Sequence, residues 1–233
     1  GAIREAERVF GVTVDAAAVI ELDQIEPPYP ELLVPFGAAE VLRCPGQPTA
    51  VADIRQTTQQ GMAALDELDY PRAFTHLESA WDGTRCADAF LERDELVELP
   101  LMLGILAHYQ GNKDDAYDWF ARALAIDPDR SWDNAYPPDA QQVFNNALAE
   151  TLRAEVASMI TVPDHEAVSE LRVDGAVVDP LAPQVTFKPG VHLLQWRSTE
   201  GTVQSLAVQG AAGDPMVLLS SRQLRNAILA GPS

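Results

Sequence analysis

Two stretches in the middle of this chain repeat one pattern of small and large residues, and the pattern narrows sharply what they can fold into. Gly61, Ala73, Leu77 and Ala80 mark the first copy; Gly104, Ala116, Phe120 and Ala123 mark the second. In both, the glycine and the first alanine are twelve residues apart, and the next positions follow at steps of four and three. Steps of three and four place side chains on one face of a helix. Small residues at such points let two antiparallel helices cross closely, while the Leu or Phe fills the gap between them. Two helical hairpins of one design are therefore expected.

The apolar period from Thr49 to about Ala157 is helical, with helices expected over 50–68, 71–82, 93–110, 112–126 and 138–157. The fourth puts Ala116, Trp119, Phe120, Ala123 and Leu124 on one stripe, and the third does the same with Leu96, Leu99, Leu103 and Leu106. Gly111-Asn112 supplies the turn between them, and Asp127-Pro128 ends the pair. The fifth helix is expected to open at Pro137-Pro138, since proline suits a first turn, and to cap the last hairpin.

These residues, together with Leu103 before Gly104 and Pro128 after the second copy, resemble the tetratricopeptide repeat. The copies depart from a contiguous array, because Gly61 and Gly104 stand 43 residues apart against roughly 34 in that family. The surplus falls between Asp82 and Asp94, around Cys86, as a loop at one edge. The resemblance implies an interaction module whose inner surface is lined by the first helix of each pair. Partner-binding residues expected there are Gln56, Gln59 and Gln60 from the first pair and His108 and Tyr109 from the second. Few Lys or Arg lie on that surface, which argues against a clamp for a peptide carboxylate. The connection after the fourth helix adds Trp132 and Tyr136, set among Asp127, Asp129, Asp133 and Asp139 as aromatic anchors or as packing beneath the loop.

Cys44 precedes the first hairpin and Cys86 follows it, and these are the two cysteines of the chain. A helix pair that goes out and returns brings its ends together, so a disulfide there is geometrically natural; two free thiols are the alternative. A bridge over about forty residues contributes roughly 4 kcal/mol in the chain-entropy model, and it places a protein outside the cytoplasm.

After about Met159 the period changes to two, with strands expected over Val168–Val173, Gln184–Lys188, Val191–Arg197, Thr202–Val208 and Met216–Ser220. Turn signals such as Asp174-Gly175 and Pro189-Gly190 separate them, which indicates a small antiparallel β-sandwich. Leu171-Arg-Val173-Asp174-Gly175 and Phe187-Lys-Pro-Gly190-Val-His192 resemble the PEGA domain, though its Pro-Glu-Gly-Ala tetrad is missing here. The expected architecture is α+β: an extended, irregular segment over 1–48 packed on the helical body, helical hairpins over 49–158, a sandwich over 159–221 and a tail over 222–233. The order of the two resemblances implies an adaptor of a bacterial cell envelope, acting on another protein. The alternative is a peptidoglycan or carbohydrate binder using Trp196 and His192 of the sandwich as a stacking surface.

The net charge of −19 argues against nucleic acid and against anionic lipid as partners, since both need clustered cations. No apolar run approaches the ~18 residues of a membrane helix. Gly1 fits a chain from which a targeting segment has been removed, so a periplasmic or envelope location is expected. Nucleophile-elbow, phosphate-loop, zinc-protease and dinucleotide signatures are missing, and neither catalytic residues nor a cofactor are expected. Asp127, Asp129, Ser131 and Asp133 alternate like the first ligands of a calcium loop. Trp132 then stands where the loop needs Gly and Pro138 where it needs Glu, so no metal is expected either.

Overall fold

Gly61 and Gly104 do in three dimensions what their spacing requires. Helix α1 (Val51–Asp66) returns as α2 (Tyr70–Thr84), α3 (Arg93–Tyr109) returns as α4 (Lys113–Ile126), and α5 (Gln141–Arg153) packs on α4. A Cβ on Gly61 would lie 2.7 Å from Cγ and Cδ2 of Leu77, and one on Gly104 would lie 2.5 Å from Cε1 of Phe120. Carbon atoms touch at roughly 3.5–4.0 Å, so only glycine admits these crossings. Leu77 and Phe120 are fully buried as a result. The turns are held by side chains: Asp69 accepts from the Arg72 N–H, Asn112 from the Asp115 N–H, and Glu92 and Glu95 form a reciprocal capping box before α3.

The computed structural model describes residues 33–36, 40–44, 46–161, 168–179, 185–198, 201–211 and 215–220. The expected tail 222–233 and most of the expected N-terminal segment 1–48 lie outside these.

Nine strands are described: β1 (Leu33–Phe36), β2 (Glu40–Leu42), β3 (Ala157–Thr161), β4 (Val168–Val173), β5 (Ala176–Val178), β6 (Val185–Phe187), β7 (Gly190–Ser198), β8 (Val203–Gly210) and β9 (Pro215–Ser220). An antiparallel sheet runs in the order β2-β8-β7-β4-β5, and a four-stranded sheet in the order β1-β9-β3-β6, in which β3 and β9 are parallel. The two share a core of Leu171, Leu194, Trp196 and Val208 from one sheet and Met216 and Leu218 from the other. The fold class is α+β.

Two local expectations are corrected. The described part of 1–48 forms strands: Leu33–Phe36 pairs with β9 and Glu40–Leu42 with β8, so this segment extends both sheets. The fifth helix starts at Gln141 rather than at the prolines, where a Pro137 C=O to Ala140 N–H turn precedes it. It stops at Arg153, Ala154 turns extended, and β3 follows where more helix was expected.

The five-stranded sheet is covered on both faces. Leu194 and Trp196 pack in the core shared with the second sheet, whereas Leu193, just before them on the same strand, joins the core of the helical body. Gln195, fully buried, reaches the same way. Its Oε1 accepts from the Leu91 N–H at 2.9 Å, and its Nε2 donates to the Ala89 carbonyl at 3.0 Å and to Ser205 Oγ at 2.9 Å. Ser205 in turn donates to the Ala87 carbonyl at 2.8 Å. Phe90 lies under the guanidinium groups of both Arg172 and Arg197. The surplus residues between the two hairpins are thus a strap that seats the helices on the sheet. At the other edge of the interface, the Asp174-Gly175 turn has two positive φ angles, and a Cβ on Gly175 would meet the Arg93 backbone N at 2.4 Å.

The strap is anchored at its start by the Cys44–Cys86 disulfide, with Cα atoms 4.9 Å apart. Beside it the Thr49 N–H donates to the Cys86 carbonyl, the Asp88 N–H donates to the Thr49 carbonyl, and the Asp88 carboxylate accepts from the Val51 N–H at the start of α1.

Candidate interaction surface

Helices α1 and α3, the first members of their pairs, both pack on α2, and between their N-terminal halves lies an open groove of about 440 Å³. Its floor is apolar, with Ile54, Leu91, Leu96 and Leu99. The sequence produces this floor because α3 is apolar nearly all round, Leu96 to Ala107 being buried almost without interruption. Such a helix needs cover on every side, and Ile54, Leu91, Leu96 and Leu99 lie covered at the bottom of the groove, 1–4% exposed.

The rim is polar, and half of its side chains are acidic. Asp94, Glu95 and Glu98 stand on the α3 side, Arg55, Thr58 and Gln59 on the α1 side. Arg55 spans the groove in a two-point pair with Glu95, Nε donating to Oε1 at 2.5 Å and the terminal nitrogen to Oε2 at 3.1 Å. That hydrogen bond is the main cause holding the Glu95 carboxyl below its ordinary pKa, against a smaller upward push from burial. Glu98 accepts from the Tyr136 hydroxyl at 3.1 Å and pairs with Arg130 at 3.1 Å. Burial first, and the Glu98 charge second, raise the Tyr136 phenol pKa. Asp94, at the first turn of α3, is exposed and pairs with no cation among the described residues.

The expected binding residues divide. Gln59 lines the groove, and Tyr136 stands behind its rim through Glu98. Gln56 and Gln60 are exposed on α1 but do not line it. His108 and Tyr109 are ten or so residues beyond Leu99, about 15 Å along α3 at the usual helical rise, and serve another purpose there. Tyr109 stacks on Tyr70 with ring centroids 5.0 Å apart, and His108 Nε2 lies 3.3 Å from Asp139. Trp132 is packed edge-on against Phe120 and beside Phe144, as part of the helical core. The groove residues that sequence reasoning missed are Arg55, Thr58, Asp94, Glu95 and Glu98. A signal was present, since Arg55 and Thr58 share the face of Gln59 at helical spacing, and Asp94, Glu95 and Glu98 share one turn of α3.

Trp196 and His192 are 3% and 0% exposed, so neither offers a face to a glycan. His192 is instead held between two acceptors, with Nδ1 2.6 Å from Asp174 Oδ2 and Nε2 2.6 Å from the Lys188 carbonyl. Both contacts need a proton on the ring. Burial pushes the imidazole pKa down, but Asp174 and the Lys188 carbonyl outweigh it and leave the value above the ordinary one.

Among the described residues no group of three or more His, Cys, Asp or Glu side chains converges as a metal site, and no helix is long and apolar enough to cross a membrane. No family model, curated protein or solved structure matches this chain.

Proposed function

We propose that this chain is a non-catalytic adaptor of a bacterial cell envelope that holds a partner protein in the groove between α1 and α3. The observation that carries the proposal is the groove itself: a concavity between α1 and α3 with apolar residues at its bottom and three carboxylates along its rim. Interfaces concentrate their binding free energy in a few apolar side chains seated in such pockets, with a polar rim excluding water. The partner segment this surface fits presents leucine-like side chains flanked by Lys or Arg, which pair with Asp94 on the rim and are steered by the net charge of −19. The disulfide supports an oxidising compartment. The resemblances to tetratricopeptide and PEGA modules support an envelope scaffold.

The chemistry is testable without knowing the partner's name. A labelled peptide with two leucines flanked by arginines is titrated by anisotropy against the protein and against Asp94→Lys combined with Gln59→Arg. Both positions are exposed, so the variant keeps the fold. Binding to the parent that falls at least tenfold in the variant, and weakens with salt, supports the reading. Equal binding to both, or none to either, rejects it.

A further inference from the structure

A second cavity, of about 280 Å³, lies where α2 and α4 meet the five-stranded sheet. Trp81 and Trp119 wall it from the helices and Leu193 from β7, and Arg85 and Arg122 line it beside them. The Arg122 guanidinium sits 4.3 Å over the Trp119 ring, which orients it without using its N–H donors. Among the described residues it pairs with no carboxylate. Arg85 approaches Asp82 only at 3.7 Å, and its Nε is buried with no hydrogen-bond partner. An arginine with no carboxylate partner, held over an indole ring at a cavity wall, points to an acceptor that comes from elsewhere. The chain has 16 cationic Lys and Arg side chains against 35 carboxylates, yet two arginines converge here. The carboxylates that share the lining, Glu78 and Asp82, are exposed.

We propose that this cavity binds a small carboxylate with a flat apolar body. Its carboxylate accepts hydrogen bonds from Arg85 and Arg122, and its body lies against Trp81, Trp119 and Leu193. Ligand pockets run from roughly 300 Å³ upward, so this one suits a molecule near the small end of the range. A cationic ligand is disfavoured, because Arg122 already covers the Trp119 face. The walls come from both the helices and the sheet, so an occupant ties the two together and raises the unfolding midpoint by mass action. The cavity is separate from the α1–α3 groove, and this inference stands whether or not the groove holds a partner.

Phenylpropionate is the probe, with uncharged phenylpropionamide as its control. Binding is followed by calorimetry and by the fluorescence of Trp81 and Trp119 on the full protein. Saturable binding of the acid is expected, with the amide weaker by about tenfold or more, as loss of a charge-assisted hydrogen bond requires. Arg122→Gln, at a half-exposed position, is expected to weaken the acid by about tenfold while the circular dichroism of the free protein stays unchanged. Arg85→Gln, which removes the second cation of the lining, is expected to do the same. No saturable binding, equal affinity for acid and amide, or an acid affinity unmoved in both folded variants overturns the proposal.

Discussion

Replacing Gly104 by alanine sets two effects of opposite sign against each other. Alanine is a better helix former than glycine by about 1 kcal/mol, so at a free helical position the change stabilises. At Gly104 the new methyl would sit 2.5 Å from Phe120 Cε1 and 2.6 Å from Cδ1. That is about 1 Å inside normal contact. The ring cannot retreat, because Phe120 is fully buried and boxed edge-on by Trp132 at 5.8 Å and Phe144 at 5.7 Å. Overpacking of a tight core costs about 1–3 kcal/mol, and a locked aromatic belongs at the upper end. The sum is a net loss of about 2 kcal/mol, or about 4–8 °C in midpoint for a chain of this size. Urea and thermal unfolding followed by circular dichroism read this directly. Phe120→Leu in the same background removes the ring atoms that collide, so the double variant should lose less than the sum of the two single losses, by about 1–2 kcal/mol. A stabilised Gly104→Ala protein, or strictly additive single losses, would refute the close-crossing argument.

Three further outcomes follow from the same structure. Gln195→Ala removes an amide that satisfies the Leu91 N–H and the Ala89 carbonyl across the interface, and should cost about 2–4 kcal/mol in urea unfolding; a loss under about 0.5 kcal/mol would show that the strap does not seat the helices. Reduction of Cys44–Cys86 frees a 42-residue separation and should lower stability by about 4 kcal/mol in the chain-entropy model, measured with and without reductant; an unchanged urea midpoint would contradict it. His192 is raised in the folded state above its unfolded value of about 6.5, so its contribution is complete below that pH and is lost as pH rises through the folded pKa. The difference in urea midpoint between the parent and His192→Gln should therefore shrink as the pH is raised above about 6.5, and a difference that grows would contradict the charged assignment.

The helical half was legible because its information is local. Gly, Ala and Phe at fixed spacing state both the helix and its close neighbour, and the helices at Val51–Asp66 and Arg93–Tyr109 begin and end within two residues of their expected bounds. The bridge between Cys44 and Cys86 followed from the same hairpin. The sheets were legible only in part. Leu33–Phe36 and Glu40–Leu42 find their partners in β9 and β8, more than 160 residues away, and no window along the chain contains that pairing. Leu33–Phe36 carries Pro35 at the outer edge of its sheet, where a missing N–H is tolerated. The strand Ala157–Thr161 was hidden by its brevity, since five residues do not distinguish a period of two from a helix running on. The groove was half legible. Gln59 marked the right face of α1, but His108 and Tyr109 were assigned by helix alone, without the distance along α3 that separates them from Leu99.

The adaptor account stands or falls on whether a partner sits between α1 and α3 in living cells. A photo-crosslinking amino acid placed at Gln59, in the groove, is compared with one at Ser79, exposed on α2 outside the groove, in the organism that makes the protein. The account predicts one dominant crosslinked protein from position 59, lost when Asp94→Lys is added, and none from position 79. Crosslinks of equal yield from both positions, or a position 59 product indifferent to Asp94→Lys, would contradict it.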